Sequence, residues 1–303
     1  MSNSPTNVLI FGPSGQVARF AALESSTRGA KVWLAMRDTS KKIDGLSDDA
    51  KFSRVQADLL NPDSIKDAVA KSGAKIAFVY VIWQSKDYMR TSFKALKEAG
   101  ITYAVLLSSY GVQGSPREEI NHRHFVAKVH AETEIALDES GISYTTVRPA
   151  FFSSNIFGHL EGIKKGEVGL FSPTSKFDWI TTEDIGAVCG ALLTQESENP
   201  PKEVYLCGQQ VISHKEALQI IAGSVGREIQ IKELTETAWR EKDATQPPEL
   251  MDSLKGLFEA NLPPRTMYEG EIYENAKANV LKYSGREPMT FEGWVDRNKE
   301  AFV

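Results

Sequence analysis

Gly12, Gly15 and Ala18 stand three residues apart in the run NVLIFGPSGQVARF, residues 7–20. A strand that ends in such a turn and passes into a helix has a definite use. The first glycine lets the chain turn sharply, and the second lets the backbone approach a pyrophosphate. The third position must be small so that the helix lies close to the strand. Ala18 meets that need, because size rather than backbone angle matters there. The helix start then offers amide N–H groups and a positive dipole end to the phosphates. The expected contacts are Gly12, Ser14, Gly15, Gln16 and Val17; a turn used only for packing is the alternative. After the next apolar run, WLAM, the first polar residue is Arg37, followed by Asp38, Lys41 and Lys42. An NAD site places an acid there, whereas a guanidinium can stack on adenine and pair with a 2′-phosphate. Arg37 and Lys42 therefore favour NADP(H), against the alternative of a solvated basic loop. Asp58, in VQADLLNP, either meets the adenine amino group or caps the following helix.

The elements that position these residues alternate. Strands are expected at 7–11, 31–36, 52–56, 75–82, 102–108 and 143–149, with helix-like stretches between them. One helix has Asn61 as its cap, Pro62 at its first position and Gly73 as its stop. Apolar strands without clean alternation, separated by helices, indicate a parallel sheet covered on both faces. Right-handed crossovers then give an α/β, doubly wound, Rossmann-like sheet. Beyond residue 150 the rhythm changes, with short strands at 167–171, 177–182 and 202–207 and helices at 183–195, 213–224 and in pieces across 235–301. Residues 1–150 read as the dinucleotide-binding core. Residues 151–303 read mostly as a substrate lobe on the sheet's edge, with some segments returning to the core sheet.

The formal net charge of −5 supplies no broad cationic field, which argues against a nucleic-acid or anionic-membrane binder. Cys189 and Cys207 lie in apolar surroundings and fit buried thiols in a reducing compartment. No zinc spacing occurs. His122, His124 and Glu132 share helical spacing without completing a ligand set, so no metal is expected. The opening MSNSPT is short and polar, and no apolar run reaches the roughly 18 residues of a membrane span. These features read as a cytoplasmic protein. Monomer and homodimer remain equally open.

The motifs GPSGQVA, MRD, ADLLNPDSI, LLSSYGV, HAETEIALDESGISYTTVRPAFFSSN, FDWITTEDIGAV and EPMTFEGWVDRNKEAF, in this order, resemble the NmrA-like family. That family is an atypical branch of the short-chain dehydrogenase/reductase superfamily. The resemblance implies a Rossmann core, a small C-terminal substrate lobe and, usually, NADP(H). It does not imply one function: members include nucleotide-sensing co-regulators, quinone and isoflavone reductases, and iminium reductases.

Typical short-chain dehydrogenases carry a Tyr-x-x-x-Lys pair on the helix after the fourth strand. The corresponding stretch here, NHRHFVAKVHAETEIAL, contains no tyrosine. Aligning the family's H-x-E-x-E form places His130 at the lysine and Val126 at the tyrosine. A shift by two gives His124 and Lys128, and pairs four apart share a helix face. His130 and Lys128 are thus candidates for proton transfer or ribose contact. The resemblance also puts Ser108 and Ser109 where the superfamily's serine orients a carbonyl. Tyr110 follows at the carboxyl edge of the sheet, where open α/β folds bind ligands. Its hydroxyl is a candidate acid; packing on the pocket wall is the alternative. Trp83, after the fourth strand, is expected near the nicotinamide ribose. Phe151, Phe152 and Asn155 are expected to line the nicotinamide and substrate pocket, with Phe177 beside them.

A missing tyrosine narrows the chemistry. Ketone reduction needs a good proton donor at the developing alkoxide. An iminium ion is simply neutralised, and a quinone or enone spreads its charge. The expected function is therefore NADPH-dependent reduction of a small hydrophobic, electron-poor substrate, aromatic or polycyclic in shape, with secondary metabolism as a setting. The alternatives are a non-catalytic NADP(H)-sensing regulator and a cofactor-retaining, isomerase-like enzyme.

Overall fold

Each of the six apolar runs in the first half of the chain forms a strand. The computed structural model describes residues 5–47, 50–195, 199–263 and 267–303. In chain order its first half contains β1 (Asn7–Phe11), α1 (Gln16–Thr27), β2 (Lys31–Met36), β3 (Phe52–Gln56), α2 (Pro62–Ser72), β4 (Ile76–Tyr80), α3 (Arg90–Ala99), β5 (Tyr103–Leu107), α4 (Phe125–Glu139) and β6 (Ser143–Pro149). The second half adds α5 (Leu160–Lys165), β7 (Glu167–Leu170), β8 (Lys176–Asp178), α6 (Thr182–Thr194), β9 (Glu203–Leu206), β10 (Val211–Ser213), α7 (His214–Val225) and β11 (Gln230–Glu233). The helices α8 (Glu236–Lys242), α9 (Pro248–Ala260), α10 (Gly270–Ser284), α11 (Phe291–Arg297) and α12 (Lys299–Phe302) complete it.

Seven strands form one sheet in the order β3-β2-β1-β4-β5-β6-β9, and every pairing is parallel. The chain runs outward from β1 to β3 and then returns to β4, so a switch point opens at the carboxyl ends of β1 and β4. Both faces of β1 are covered. Val8 and Ile10 pack with Val17, Ala21 and Ile185 on one side, and Leu9 and Phe11 with Ile65, Val69 and Phe93 on the other. This two-sided burial explains why the strands read as continuous apolar runs. β9 and α6, both beyond residue 150, belong to this sheet and its helical layer. Two small pairs stand apart from it: β10 runs antiparallel to β8, and β11 parallel to β7.

Local signals set several boundaries. Asn61 accepts the amides of Asp63 and Ser64 at the start of α2, and Gly73 ends it in the left-handed region at φ 63°. Two helices start later than the helix-like stretches of the sequence, 86–100 and 117–141, in which they lie. The residues before α3 are held in a turn: Tyr88 and Met89 take φ of 52° and 67°, and the Met89 amide donates to Ser85 Oγ at 2.7 Å. Residues 119–122 form a separate 3-10 turn ahead of α4. No described helix is long and apolar enough to cross a membrane.

Close packing joins α1 to α6. A Cβ on Gly186 would stand 2.3 Å from Phe20 Cβ and 2.9 Å from the Val17 carbonyl oxygen. One turn on, a Cβ on Gly190 would stand 2.5 Å from Glu24 Cβ. The backbone oxygen cannot rotate away, so Gly186→Ala must separate the helices. We expect it to cost about 1–3 kcal/mol, read as a lower denaturant midpoint with an unchanged m-value.

Burial also sets an acid limit. His159 is half-buried, and buried His214 is ringed by Phe151, Phe177, Trp179 and Phe258 at centroid distances of 5.1–5.6 Å. Desolvation pushes His130 and His159 down to about 4 and His214 down to about 3, from an ordinary 6.5. The unfolded chain therefore binds more protons than the folded one as pH falls below about 6.5. Buried Asp178, pushed up to about 6, acts in the opposite direction. Three histidines outweigh it, so the unfolding temperature should fall as pH drops from 6.5 through about 4. A flat profile over that window would contradict the burial argument.

Candidate cofactor and substrate site

The glycine turn lies at the switch point. Gly12 takes φ 64°, and its amide donates to the Ala35 carbonyl at 3.1 Å. The Gly15 amide donates back to the Gly12 carbonyl at 2.9 Å, and Gly15 is the N-cap of α1. No side chain caps this helix, and its first turn carries no acid. Its end is thus suited to an anion. Ser14 and Gln16 are exposed there, while Val17 is turned into the core. The Gln16 amide oxygen accepts from Thr182 Oγ1 at 3.2 Å, which ties the turn to α6. Tyr80, at the end of β4, covers the turn: a Cβ on Gly12 would lie 2.5 Å from its ring. Glycine is thus required by backbone angle and by contact together. Tyr80 carries no signal in the sequence, because its position depends on the pairing of β1 with β4.

Arg37 is exposed just past β2, and Lys42 is exposed in the loop that follows. That loop is fixed from below. Arg54 donates to the carbonyls of Thr39, Lys41 and Leu46 at 3.0, 2.7 and 3.3 Å. Asp38 accepts from the Ser40 amide and hydroxyl at 2.9 and 2.6 Å. Lys42 and Arg54 border a polar recess of about 620 Å³. Asp58 does not cap α2, since Asn61 does; one Asp58 oxygen accepts from the Leu60 amide at 2.9 Å. Burial raises the pKa of the Tyr80 hydroxyl, which Arg37 lowers and Asp58 raises, so these three groups lie within electrostatic reach of one another. A cradle that excludes a Cβ, an uncapped helix start and a guanidinium at the strand end together fit a phosphorylated dinucleotide.

At the exit of β5 the two serines separate in role. Ser108 is buried and donates to Glu134 Oε1 at 2.5 Å. Glu134 in turn holds Arg148 through Nε and Nη2 at 3.0 and 2.6 Å. Arg148 Nη1 donates to the Gly114 carbonyl at 2.9 Å and the Tyr205 hydroxyl at 2.6 Å. The Ser108 hydroxyl is thereby committed to this buried network rather than to a substrate carbonyl. Ser109 is half-buried, and its Oγ accepts from the Gly111 amide at 3.1 Å.

Tyr110 borders a cavity of about 700 Å³. Burial raises its hydroxyl pKa well above the ordinary tyrosine value, and Asp178 adds to the shift. The same cavity meets Val126 and Ala127 of α4, Leu254 and Leu257 of α9, and Asn261, Met267 and Tyr268 beyond it. The proline-flanked stretch around α9 thus supplies a wall that composition marked only as punctuation.

The other expected residues diverge. Lys128 is exposed on α4 and lies outside the cavity lining, whereas His130 is buried on a different face against Trp83, ring centroids 5.5 Å apart. His130 Nδ1 is buried without a partner, and the ring is neutral at pH 7 because desolvation lowers it to about 4. His124 borders the cavity, but Lys128 does not join it there. Phe177 is fully enclosed and stacks on half-buried Phe151 at 4.4 Å, so it is core rather than cavity wall. Phe152 is half-buried and bridges backbone-to-backbone with Ile180; Asn155 is exposed on the 3-10 turn 153–159. Neither borders the cavity. Among the described residues, no group of three or more His, Cys, Asp or Glu could hold a metal.

The Arg148–Glu134 pair is 0% and 2% exposed. Removing one partner leaves a buried charge uncompensated, so Glu134→Ala should cost about 3–5 kcal/mol in a denaturant titration. A loss below about 1 kcal/mol, the range of exposed pairs, would contradict this reading.

Comparison with known proteins fits this geometry. The chain is 34% identical over 317 residues to the nitrogen metabolite regulation-like protein bik4 of Gibberella fujikuroi, covering 96% of both chains. It is 28% identical over 212 residues to the NAD(P)H azoreductase of Xenophilus azovorans, covering 69% of both. Its fold matches that of the NADPH-dependent quinone oxidoreductase of Escherichia coli, solved with NADPH, with a TM-score of 0.74, 19% identity, and 96% and 99% of the two chains covered. The model of the NmrA-like family matches residues 4–295, and the chain belongs to that family.

Proposed function

We propose that the protein is an NADPH-dependent reductase of a small hydrophobic, electron-poor substrate: an imine or iminium ion, a quinone or an enone. The observation that carries this reading is the largely apolar cavity at Tyr110, on the same sheet edge as the glycine turn, with Val126 in its wall and no tyrosine on the facing helix α4. The azoreductase and quinone oxidoreductase names among similar proteins support the same class of reaction.

When bound, the dinucleotide supplies a hydride. The chain's own residues do the rest. The start of α1 and the Gly12–Gly15 turn hold the pyrophosphate, and Arg37 and Lys42 hold the 2′-phosphate. Asp58 and Trp83 flank the adenine and ribose ends. His130, buried and neutral, packs edge-on to Trp83 and holds that ring at the ribose end. Tyr110 keeps its proton and offers a weak hydrogen bond to the acceptor. Catalysis then rests on positioning and water exclusion more than on acid strength.

A nucleotide-sensing regulator without turnover is the second reading. The absent Tyr-x-x-x-Lys pair and the regulation-like name of the 34%-identical relative favour it.

Arg37→Ala should raise the Kd for NADPH by about 10-fold, near 1.4 kcal/mol, and leave that for NADH nearly unchanged. Equal affinity of the native protein for NADPH and NADH would contradict the 2′-phosphate assignment. Oxidation of NADPH should be followed with a panel of quinones, enones and cyclic imines. Turnover with none of them, alongside tight binding of both oxidised and reduced nucleotide, would support the regulator instead. Tyr110→Phe should slow turnover by less than the 10²–10⁴-fold typical of a lost general acid.

A further inference from the structure

We propose that the cavity beside Tyr110 is built to receive a planar organic cation, a proposal that rests on the reading of this cavity as the substrate pocket. Its wall has the right chemistry in three respects.

The first is charge. Among the described lining residues Glu269 carries a carboxylate, and none is Lys or Arg. A second carboxylate lies behind the wall: Asp178 is completely buried, its Oδ2 accepts from the Tyr268 amide at 3.3 Å, and its Oδ1 has no partner. Asp178 is near enough to Tyr110 to raise the pKa of its hydroxyl. A phosphorylated or carboxylated ligand would meet the Glu269 carboxylate, with the Asp178 carboxylate behind the wall.

The second is an acceptor without a donor. Asn261 is 3% exposed, and its Nδ2 donates to the Leu257 carbonyl at 2.8 Å. Its backbone oxygen is fixed by the Lys176 amide at 2.8 Å. The orientation of the amide is therefore set, and Oδ1 is left buried and unpartnered in the wall. Unpaired buried acceptors are rare and call for a donor or a positive charge.

The third is the rings. Tyr110 and Tyr268 meet at 6.0 Å and 81°, and Tyr205 and Tyr268 at 5.5 Å and 84°. Neighbouring rings stand at right angles, so a flat ligand parallel to one meets its face. Aromatic faces attract cations, and more strongly where water is excluded. An acceptor that already carries positive charge also asks for no proton. That suits a wall with Val126 at the expected tyrosine position.

Three ring-matched probes separate charge from shape: N-methylacridinium, acridine and acridine-9-carboxylate, titrated by fluorescence at mildly alkaline pH, where acridine is neutral. The cation should bind about 10-fold more tightly than acridine, and the carboxylate most weakly. Glu269→Gln should narrow the cation-to-acridine ratio by about threefold without changing the Kd of acridine. Leu254→Trp, which fills the cavity, should remove binding of the cation. Equal or tighter binding of acridine or the carboxylate, binding of none of the three, or undiminished cation binding by Leu254→Trp would each overturn the proposal. A parallel NADPH titration keeps the two claims apart. Protein that binds NADPH but shows no charge preference overturns only the cation site. Protein that binds no NADPH overturns the reductase reading on which it rests.

Discussion

The buried pair of Arg148 and Glu134 is the interaction on which the site's shape depends. It joins β6 to α4, draws in Ser108 from the end of β5, and reaches Tyr205 of β9 and the Gly114 carbonyl. The Arg148 backbone carbonyl also accepts from the Tyr268 hydroxyl at 2.6 Å. Two of the cavity's tyrosines are thus fixed by one residue. Burying two charges is costly, and only full hydrogen bonding offsets it. Here every arm of the guanidinium has a partner. The result is a fully hydrogen-bonded floor that also ties β9 to β6.

Around that floor the site divides by electrostatics. The turn, Arg37 and Lys42 form a positive, exposed end suited to phosphates. The cavity end is lined mainly by apolar and aromatic side chains, with Glu269 at its wall and Asp178 behind it. Desolvation keeps Tyr110 at the cavity protonated and His130, packed against Trp83, neutral. Neither group is a strong acid near pH 7. Chemistry that needs one is poorly served, and chemistry that needs only placement is well served.

Much of the fold was legible because its signals are local. The six strands of the first half follow from continuous apolar runs, and α2 from Asn61, Pro62 and Gly73. The two helix starts that shifted depend on side chains that fix a turn, such as Ser85 holding the Met89 amide, which periodicity does not encode. β10 and β11 carry little sequence signal, because Val211–Ser213 and Gln230–Glu233 are short and mostly half-buried or exposed. The nucleotide turn was readable for the reason the strands were: Gly12, Gly15 and Ala18 act within one loop. The substrate end was not. The sequence places Ser108 at a substrate carbonyl, yet its hydroxyl donates to Glu134, 26 residues away. Phe177 was assigned to the pocket, yet Phe151 and His214 enclose it. Leu254 and Asn261 carry no such signal, because only the packing of α9 against α4 brings them to Tyr110.

The central claim is that one continuous site runs from Arg37, across the Gly12–Gly15 turn, to the cavity at Tyr110. The most direct test is an experimental structure of the protein with bound NADP⁺. The account predicts the 2′-phosphate within hydrogen-bond distance of Arg37, the pyrophosphate on the start of α1, and the nicotinamide at the mouth of the cavity beside His130 and Tyr110. A nicotinamide turned away from that cavity, or a 2′-phosphate that does not meet Arg37, would contradict it.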